Sequence, residues 1–233
     1  MKICVIGNSH VASIKRGLEE LKGSNFEVDF FADRGARLRE LKVDGGVLRS
    51  EDEDVRRVLE YTSGGKGEIR GDEYDIFVLY GLYAKGLLIK EEAFFSEEVV
   101  KQTVKDHVAS TTSFDILLKL RKITKKKVFI GHDPFPAAEK VVDNTISRDY
   151  VFGMEKLNRF LYSPLNCEII SQPSETVVNK FYTDPTFSKE SSRLNIGEGM
   201  EGRVHPESEK KHMNSEFGKL WLEKLLKNIN KQS

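Results

Sequence analysis

Hydrophobic positions along the chain follow two rhythms. Short, nearly continuous apolar runs occur at residues 2–6, 74–80, 127–130 and 167–170. Runs of this length predict strands covered on both faces. Residues 26–32 alternate and carry aromatics, which predicts one more strand. Between the runs the spacing changes to that of helices. From Ser9 onward, Val11, Ile14, Leu18 and Leu21 share one helical face. Further helices are predicted near 53–61, within 97–124 with a break around 110–113, over roughly 149–161, and from 215 to about 229. In the last, Leu222, Leu225, Leu226 and Ile229 are among the apolar positions.

Strands alternating with helices predict an α/β fold with a parallel sheet and right-handed crossovers. In such sheets ligands sit beyond the carboxyl ends of the strands. That rule singles out the loops 7–10, 32–36, 81–85, 131–136 and 171–175. The last of these, Gln172-Pro173-Ser174-Glu175, reads as rim. Residues 185–211 are polar and rich in Gly and Ser, and read as a long surface loop. No internal repeat is visible.

Composition narrows the function classes. The chain has 233 residues, with 37 Lys+Arg against 37 Asp+Glu, so the net charge is zero. One α/β unit over 1–233 accounts for this length. The charge balance argues against a nucleic-acid partner, which usually meets a basic excess. Cys4 and Cys167 are the only cysteines. They support neither a disulfide framework nor a four-cysteine metal site, and read as buried thiols of a reducing compartment. The apolar run Ile3-Cys4-Val5-Ile6 is too short for the core of a signal peptide, and no later stretch approaches a membrane span. The expectation is a cytoplasmic protein with no membrane partner.

Two segments carry candidate chemistry. Gly7-Asn8-Ser9-His10 follows the first strand and precedes a helix. Ser9 there can cap the helix, its hydroxyl accepting a backbone N–H. It can also serve as a nucleophile, with helix N–H groups available to an oxyanion. Local sequence favours the cap. The second segment is Glu209-Lys210-Lys211-His212, just before the last helix. A serine needs a base, imidazole is the usual one, and a carboxylate can fix its tautomer. An acid three residues before a histidine can fold back to its ring. Taken alone, His212 and Glu209 read as surface residues.

Together the two segments resemble the SGNH hydrolase superfamily, also called GDSL esterases/lipases. Members carry Gly-Asp-Ser after the first strand and Asp-x-x-His near the end of the chain. Here Gly7-Asn8-Ser9 has Asn for Asp, and Glu209-Lys210-Lys211-His212 has Glu for Asp. His212-Met213-Asn214, followed by Phe217-Gly218, is similar to the run that follows the base in many members. The resemblance spans nearly the whole chain. It implies a three-layer α/β/α sandwich with a parallel, flavodoxin-like sheet of about five strands. It also implies Ser9 as nucleophile, His212 as base and Glu209 as the acid, with Glu207 a competing choice.

The family's oxyanion hole implies further positions. The N–H of Ser9 is one donor, and Gly35, in Arg34-Gly35-Ala36, fits a second. The family's Gly-x-Asn block stands here as Gly81-Leu82-Tyr83, with no asparagine, and the Tyr83 hydroxyl is an available donor. His10, Gly81, His132 and Asp133 are candidates for contact with substrate, His132 and Asp133 because they follow the fourth strand.

The implied activity is hydrolysis of a small acyl ester, acetyl-like and on a carbohydrate, so the expected partner is a small-molecule or glycan ester. Transfer to a sugar hydroxyl is the alternative outcome of the same site, and a weakened binding module is the alternative without chemistry. No cofactor is expected. The nucleotide signatures GxGxxG and GxxxxGK[ST] are absent, and Gly64-Gly65-Lys66-Gly67 follows a helix rather than a strand. No metal is expected either, since a set drawn from His10, His132, Asp133 and His212 lacks HExxH or CxxC spacing.

Overall fold

The computed structural model describes residues 1–21, 26–199 and 203–231. Its centre is a sheet of five parallel strands: β1 (Lys2–Gly7), β2 (Glu27–Ala32), β3 (Ile76–Tyr80), β4 (Lys127–Gly131) and β5 (Cys167–Ile170). Their order is β2-β1-β3-β4-β5, the flavodoxin-like arrangement. The five runs expected from sequence are these five strands.

Among the described residues six α-helices cover the sheet: α1 (Val11–Glu20), α2 (Glu53–Ser63), α3 (Glu97–Ala109), α4 (Thr112–Ile123), α5 (Arg148–Leu157) and α6 (Ser215–Asn230). The two-residue period of a strand sorts side chains between the faces. Ile3, Val5, Val78 and Phe129 pack with α1 and α6. Cys4, Ile6, Phe77, Leu79, Val128 and Ile130 pack with α2 to α5. The result is a three-layer sandwich. Cys4 and Cys167 are both buried free thiols. No described helix is long and apolar enough to cross a membrane.

The break expected between α3 and α4 falls at 110–111, where the Thr111 side chain accepts the Phe114 N–H and caps α4. The helix expected over 149–161 ends as an α-helix at Leu157 and continues as a π-turn, Asn158–Tyr162. A small antiparallel sheet, Lys42–Asp44, Val47–Arg49 and Glu68–Arg70, has no counterpart in the sequence reading. Its strands are three residues each, too short for a period to show. Of the segment 185–211, whose residues 200–202 lie outside the described residues, the described parts are more tied down than a surface loop. Leu194 is buried, and Ser192 bridges to Val204.

One helix contact positions the site. α1 and α6 touch through Gly17 and Gly218. A Cβ on Gly218 would lie 1.9 Å from the Ser13 carbonyl oxygen, and one on Gly17 would lie 2.3 Å from the Lys219 nitrogen. Only glycine permits backbones this close. The start of α1, next to Ser9, is thereby brought to the start of α6, next to His212.

Candidate active site

Gly7 ends β1, and the chain turns through Asn8 and Ser9 before α1 starts at Val11. His10, not Ser9, stands at the cap position, and α1 has no side-chain cap. The capping role favoured by local sequence is therefore not the one Ser9 plays. Its Oγ instead lies 3.0 Å from His212 Nε2, across 203 residues of chain. The Asn8 side chain, buried, accepts the His10 N–H at 3.2 Å and holds the turn.

His212 is positioned from the other end of the chain. Asn214 caps α6 by accepting the Phe217 N–H at 3.2 Å, and its amide donates to the carbonyls of Thr186 and Lys189. Met213 is buried beneath. His212 Nδ1 faces Glu209 Oε1 at 3.6 Å, an ion-pair distance that stops short of a hydrogen bond. The same carboxylate oxygen accepts the Lys211 N–H at 2.7 Å. Glu207, the competing acid, is exposed.

Electrostatics keep the imidazole neutral. Burial pushes the His212 pKa below the ordinary histidine value; Glu209 pulls the other way, and Lys211 and Arg193 add to the lowering. Burial alone would raise the Glu209 carboxyl. The Lys211 N–H and the imidazoles of His212 and His205 outweigh it and hold the carboxyl low. His10 is driven to about 3, by burial first and then by His212 and His205.

Ser9 and His212 open onto a cleft of about 650 Å³. Its wall includes Asn8, His10, Gly35, Tyr83, Asp133 and Phe135. A Cβ on Gly35 would lie 3.8 Å from the Tyr83 hydroxyl, so these two adjoin. The turn carrying Tyr83 is unusual. Gly81, Leu82 and Tyr83 have φ of 73°, 56° and 61°. Left-handed backbone is costly for leucine and tyrosine and persists where packing enforces it. Burial of Leu82 supplies that packing and leaves Tyr83 45% exposed at the cleft. At Gly81 a Cβ would lie 2.3 Å from Asn8 Oδ1, so a larger residue there would displace the side chain that holds the Ser9 turn.

Asp133 also reaches the cleft. Burial raises its carboxyl to about 6, against a lowering by the Tyr83 N–H, Lys85 and the Asn8 amide. Its Oδ1 lies 3.8 Å from His10 Nε2. His132, expected beside it, is buried behind the wall and does not line the cleft. Its Nδ1 lies 2.6 Å from the Asp133 carbonyl oxygen and its Nε2 lies 2.6 Å from the Tyr150 hydroxyl. The carbonyl can only accept, so Nδ1 carries the proton and Nε2 accepts from Tyr150. Tyr150 in turn accepts the Gln172 N–H. His132 is thus a satisfied core histidine, held neutral by burial with its pKa lowered to about 4. Gln172, expected at the rim, is likewise buried, and bonds Phe135, Thr176 and Thr183.

Sequence reasoning missed His205. Its ring stacks on that of His212, centroids 4.0 Å apart and planes 13° apart; His10 also stacks on His212, at 4.9 Å. The spacing His205-x3-Glu209-x2-His212 was the available signal.

Comparisons with known proteins add little to this geometry. No family model matches the chain. No curated protein matches it either. Among solved structures the chain is similar to a gut microbial diltiazem-metabolizing enzyme, with a TM-score of 0.30 and 9% identity. That likeness covers 73% of this chain and 36% of the other, so the chain spans about a third of that protein's length.

Proposed function

We propose that the protein is a serine-dependent acyl-ester hydrolase. The observation that carries this reading is the 3.0 Å contact between Ser9 Oγ and His212 Nε2. Ser9 attacks the ester carbonyl while His212 Nε2 takes the hydroxyl proton. The tetrahedral oxyanion collapses and expels the alcohol, which receives that proton from His212. Water, deprotonated by His212, then releases the acid and restores Ser9. Glu209 orients the imidazole and stabilises its protonated form. The N–H groups of Ser9 and Gly35, with the Tyr83 hydroxyl, are the oxyanion donors in this scheme. Each such donor is worth about 10²–10³ in turnover.

More particularly, we propose a small acyl ester of a carbohydrate as substrate. Tyr83, Phe135, Pro134 and Pro136 offer apolar faces to a sugar ring, and Asp133 and Lys85 offer hydrogen bonds. The test is turnover of p-nitrophenyl acetate by wild type and Ser9→Ala. Turnover by wild type alone supports Ser9 as nucleophile, and equal rates overturn it. Acetate release from acetylated sugars then tests the substrate class. Turnover of p-nitrophenyl acetate without acetate release from any such sugar counts against the carbohydrate.

A further inference from the structure

The base of the proposed reaction has a neighbour that acyl transfer does not use. His205, Glu209 and His212 each offer a ligand atom, and the three atoms lie within 4.8 Å of one another. His205 Nε2 and His212 Nδ1 are both buried with no hydrogen-bond partner among the described residues. A buried polar atom left so costs on the order of 1–3 kcal/mol and calls for an explanation. The backbone beneath His205 is fixed. Its N–H donates to the Ser191 carbonyl at 2.8 Å, and the Arg193 N–H donates to the Arg203 carbonyl at 2.8 Å. The Glu209 N–H closes a turn on Pro206 at 2.9 Å, which brings residues 205, 209 and 212 to one side.

We propose that these three side chains form a site for a divalent cation of the zinc class, bound by His205 Nε2, His212 Nδ1 and a Glu209 carboxylate oxygen. Two imidazoles and one carboxylate are a donor set that zinc takes, at about 2.0–2.2 Å, with water in the fourth position. Ligands at those distances stand roughly 3.3 Å apart around a tetrahedral ion; His212 Nδ1 and Glu209 Oε1, at 3.6 Å, are already near that spacing, so the closing movement falls mainly to His205. A metal lies in the plane of the imidazole it binds, and two stacked rings cannot both aim at one ion. Binding therefore turns the His205 ring about its side-chain torsions and opens the stack.

The consequence rests on the acyl-transfer reading above. A neutral imidazole with a metal on Nδ1 keeps its proton on Nε2. His212 then donates to Ser9 Oγ where it had accepted, and Ser9 loses its base. Glu209 is withdrawn into the same coordination. The cation is thus a reversible inhibitor of this site rather than its cofactor.

The experiment uses the full chain stripped with chelator. Zn²⁺ binding is measured by calorimetry, and Co²⁺ binding by its visible absorption, for wild type and His205→Phe. The phenyl ring stays over His212 and lacks the donor; His205→Ala serves as a second variant should the phenyl not be accommodated. The expected result is one ion per wild-type chain and binding at least about tenfold weaker in the variants, since even outer partners of metal sites cost 10–100-fold. No uptake by wild type, or equal uptake by the variants, overturns the site. The second readout is p-nitrophenyl acetate turnover at saturating Zn²⁺. Loss that returns with chelator supports inhibition, and turnover unchanged by bound zinc overturns it. If the stripped chain shows no Ser9-dependent turnover, the acyl-transfer reading and the inhibition built on it both fail, while calorimetry still decides the metal site.

Discussion

The two ends of the central sheet treat their charges differently. Toward the amino end, Lys66 donates to Asp29 at 2.7 Å, to Glu73, and to the Tyr74 hydroxyl at 3.4 Å. Tyr74 donates to Asp29 at 2.8 Å, and Lys2 donates to Glu73. Burial works against the Lys66 charge, but Asp29 and Glu73 outweigh it and hold the ammonium well above its ordinary pKa. At the carboxyl end, His10, Asp133, His205 and His212 each keep a buried polar atom with no partner among the described residues. The first set is closed and spends its hydrogen bonds on the fold. The second is open, and open buried groups persist where something outside the chain is to meet them. The same sheet thus carries one charge cluster closed on itself and one left open to the cleft.

Substitutions at the two ends of the sheet should part cleanly. Ser9→Ala is expected to cut ester turnover by about 10³-fold or more, as loss of a nucleophile does. Its melting midpoint should stay close to that of wild type. Lys66→Met is the counterpart: turnover is kept, and stability falls by about 1 kcal/mol, the order expected for a half-exposed ion pair. Turnover lost at Lys66, or kept at Ser9, breaks the comparison.

Glu209→Gln comes next. Its carboxylate stands 3.6 Å from His212 Nδ1, beyond hydrogen-bond reach. The expected loss of turnover is therefore below the ~10⁴-fold seen where such an acid bonds its histidine directly. Steady-state kinetics of the purified variant measures it.

Gly218→Ala tests how the fold sets the site. The added carbon meets the Ser13 carbonyl oxygen at 1.9 Å, and backbone cannot yield there without parting α1 from α6. Overpacking of this kind costs about 1–3 kcal/mol. Denaturant melts should show that loss, and turnover should fall with it because Ser9 and His212 sit at the two helix starts.

Two effects of pH are smaller. Only neutral His212 can accept the serine proton, and burial holds its pKa below the ordinary 6.5. The acid limb of kcat/KM should accordingly lie below pH 6.5, and a limb above it contradicts the assignment. Asp133 concerns stability. Its folded pKa is raised from 3.8 to about 6, so the charged form is the one folding disfavours. Whatever stability this group contributes is present below pH 3.8 and lost as pH rises through about 6. Asp133→Asn stays neutral, and should gain on wild type by up to about 3 kcal/mol between pH 4 and pH 8 in thermal melts.

Much of this was legible in the residues. Strand runs as apolar as 74–80 have few alternatives, and their alternation with helices leads to the parallel order that is observed. Gly7-Asn8-Ser9 and Glu209-x-x-His212 read as ordinary singly and stood out only as a pair, in the order and at the two ends of the chain where the SGNH hydrolase motifs they resemble occur. His132 misled for a physical reason. A loop after a strand reaches the cleft as backbone, but one residue decides which way a side chain turns, and His132 turns to Tyr150 while Asp133 faces out. His205 left only a faint signal, its spacing to Glu209 and His212, because a lone histidine in a polar segment has no period; the pairing of 191–193 with 203–205 fixes the backbone that carries it to His212. The three-residue strands of the small antiparallel sheet were illegible for the same lack of repeat.

The most direct test of Ser9 as an activated nucleophile is covalent. A fluorophosphonate ester captures a serine only where a base has activated it, and peptide mass mapping locates the adduct. The account predicts one adduct per wild-type chain, on Ser9, and none in His212→Ala. An unlabelled wild-type chain, or a label retained at full yield in His212→Ala, would contradict it.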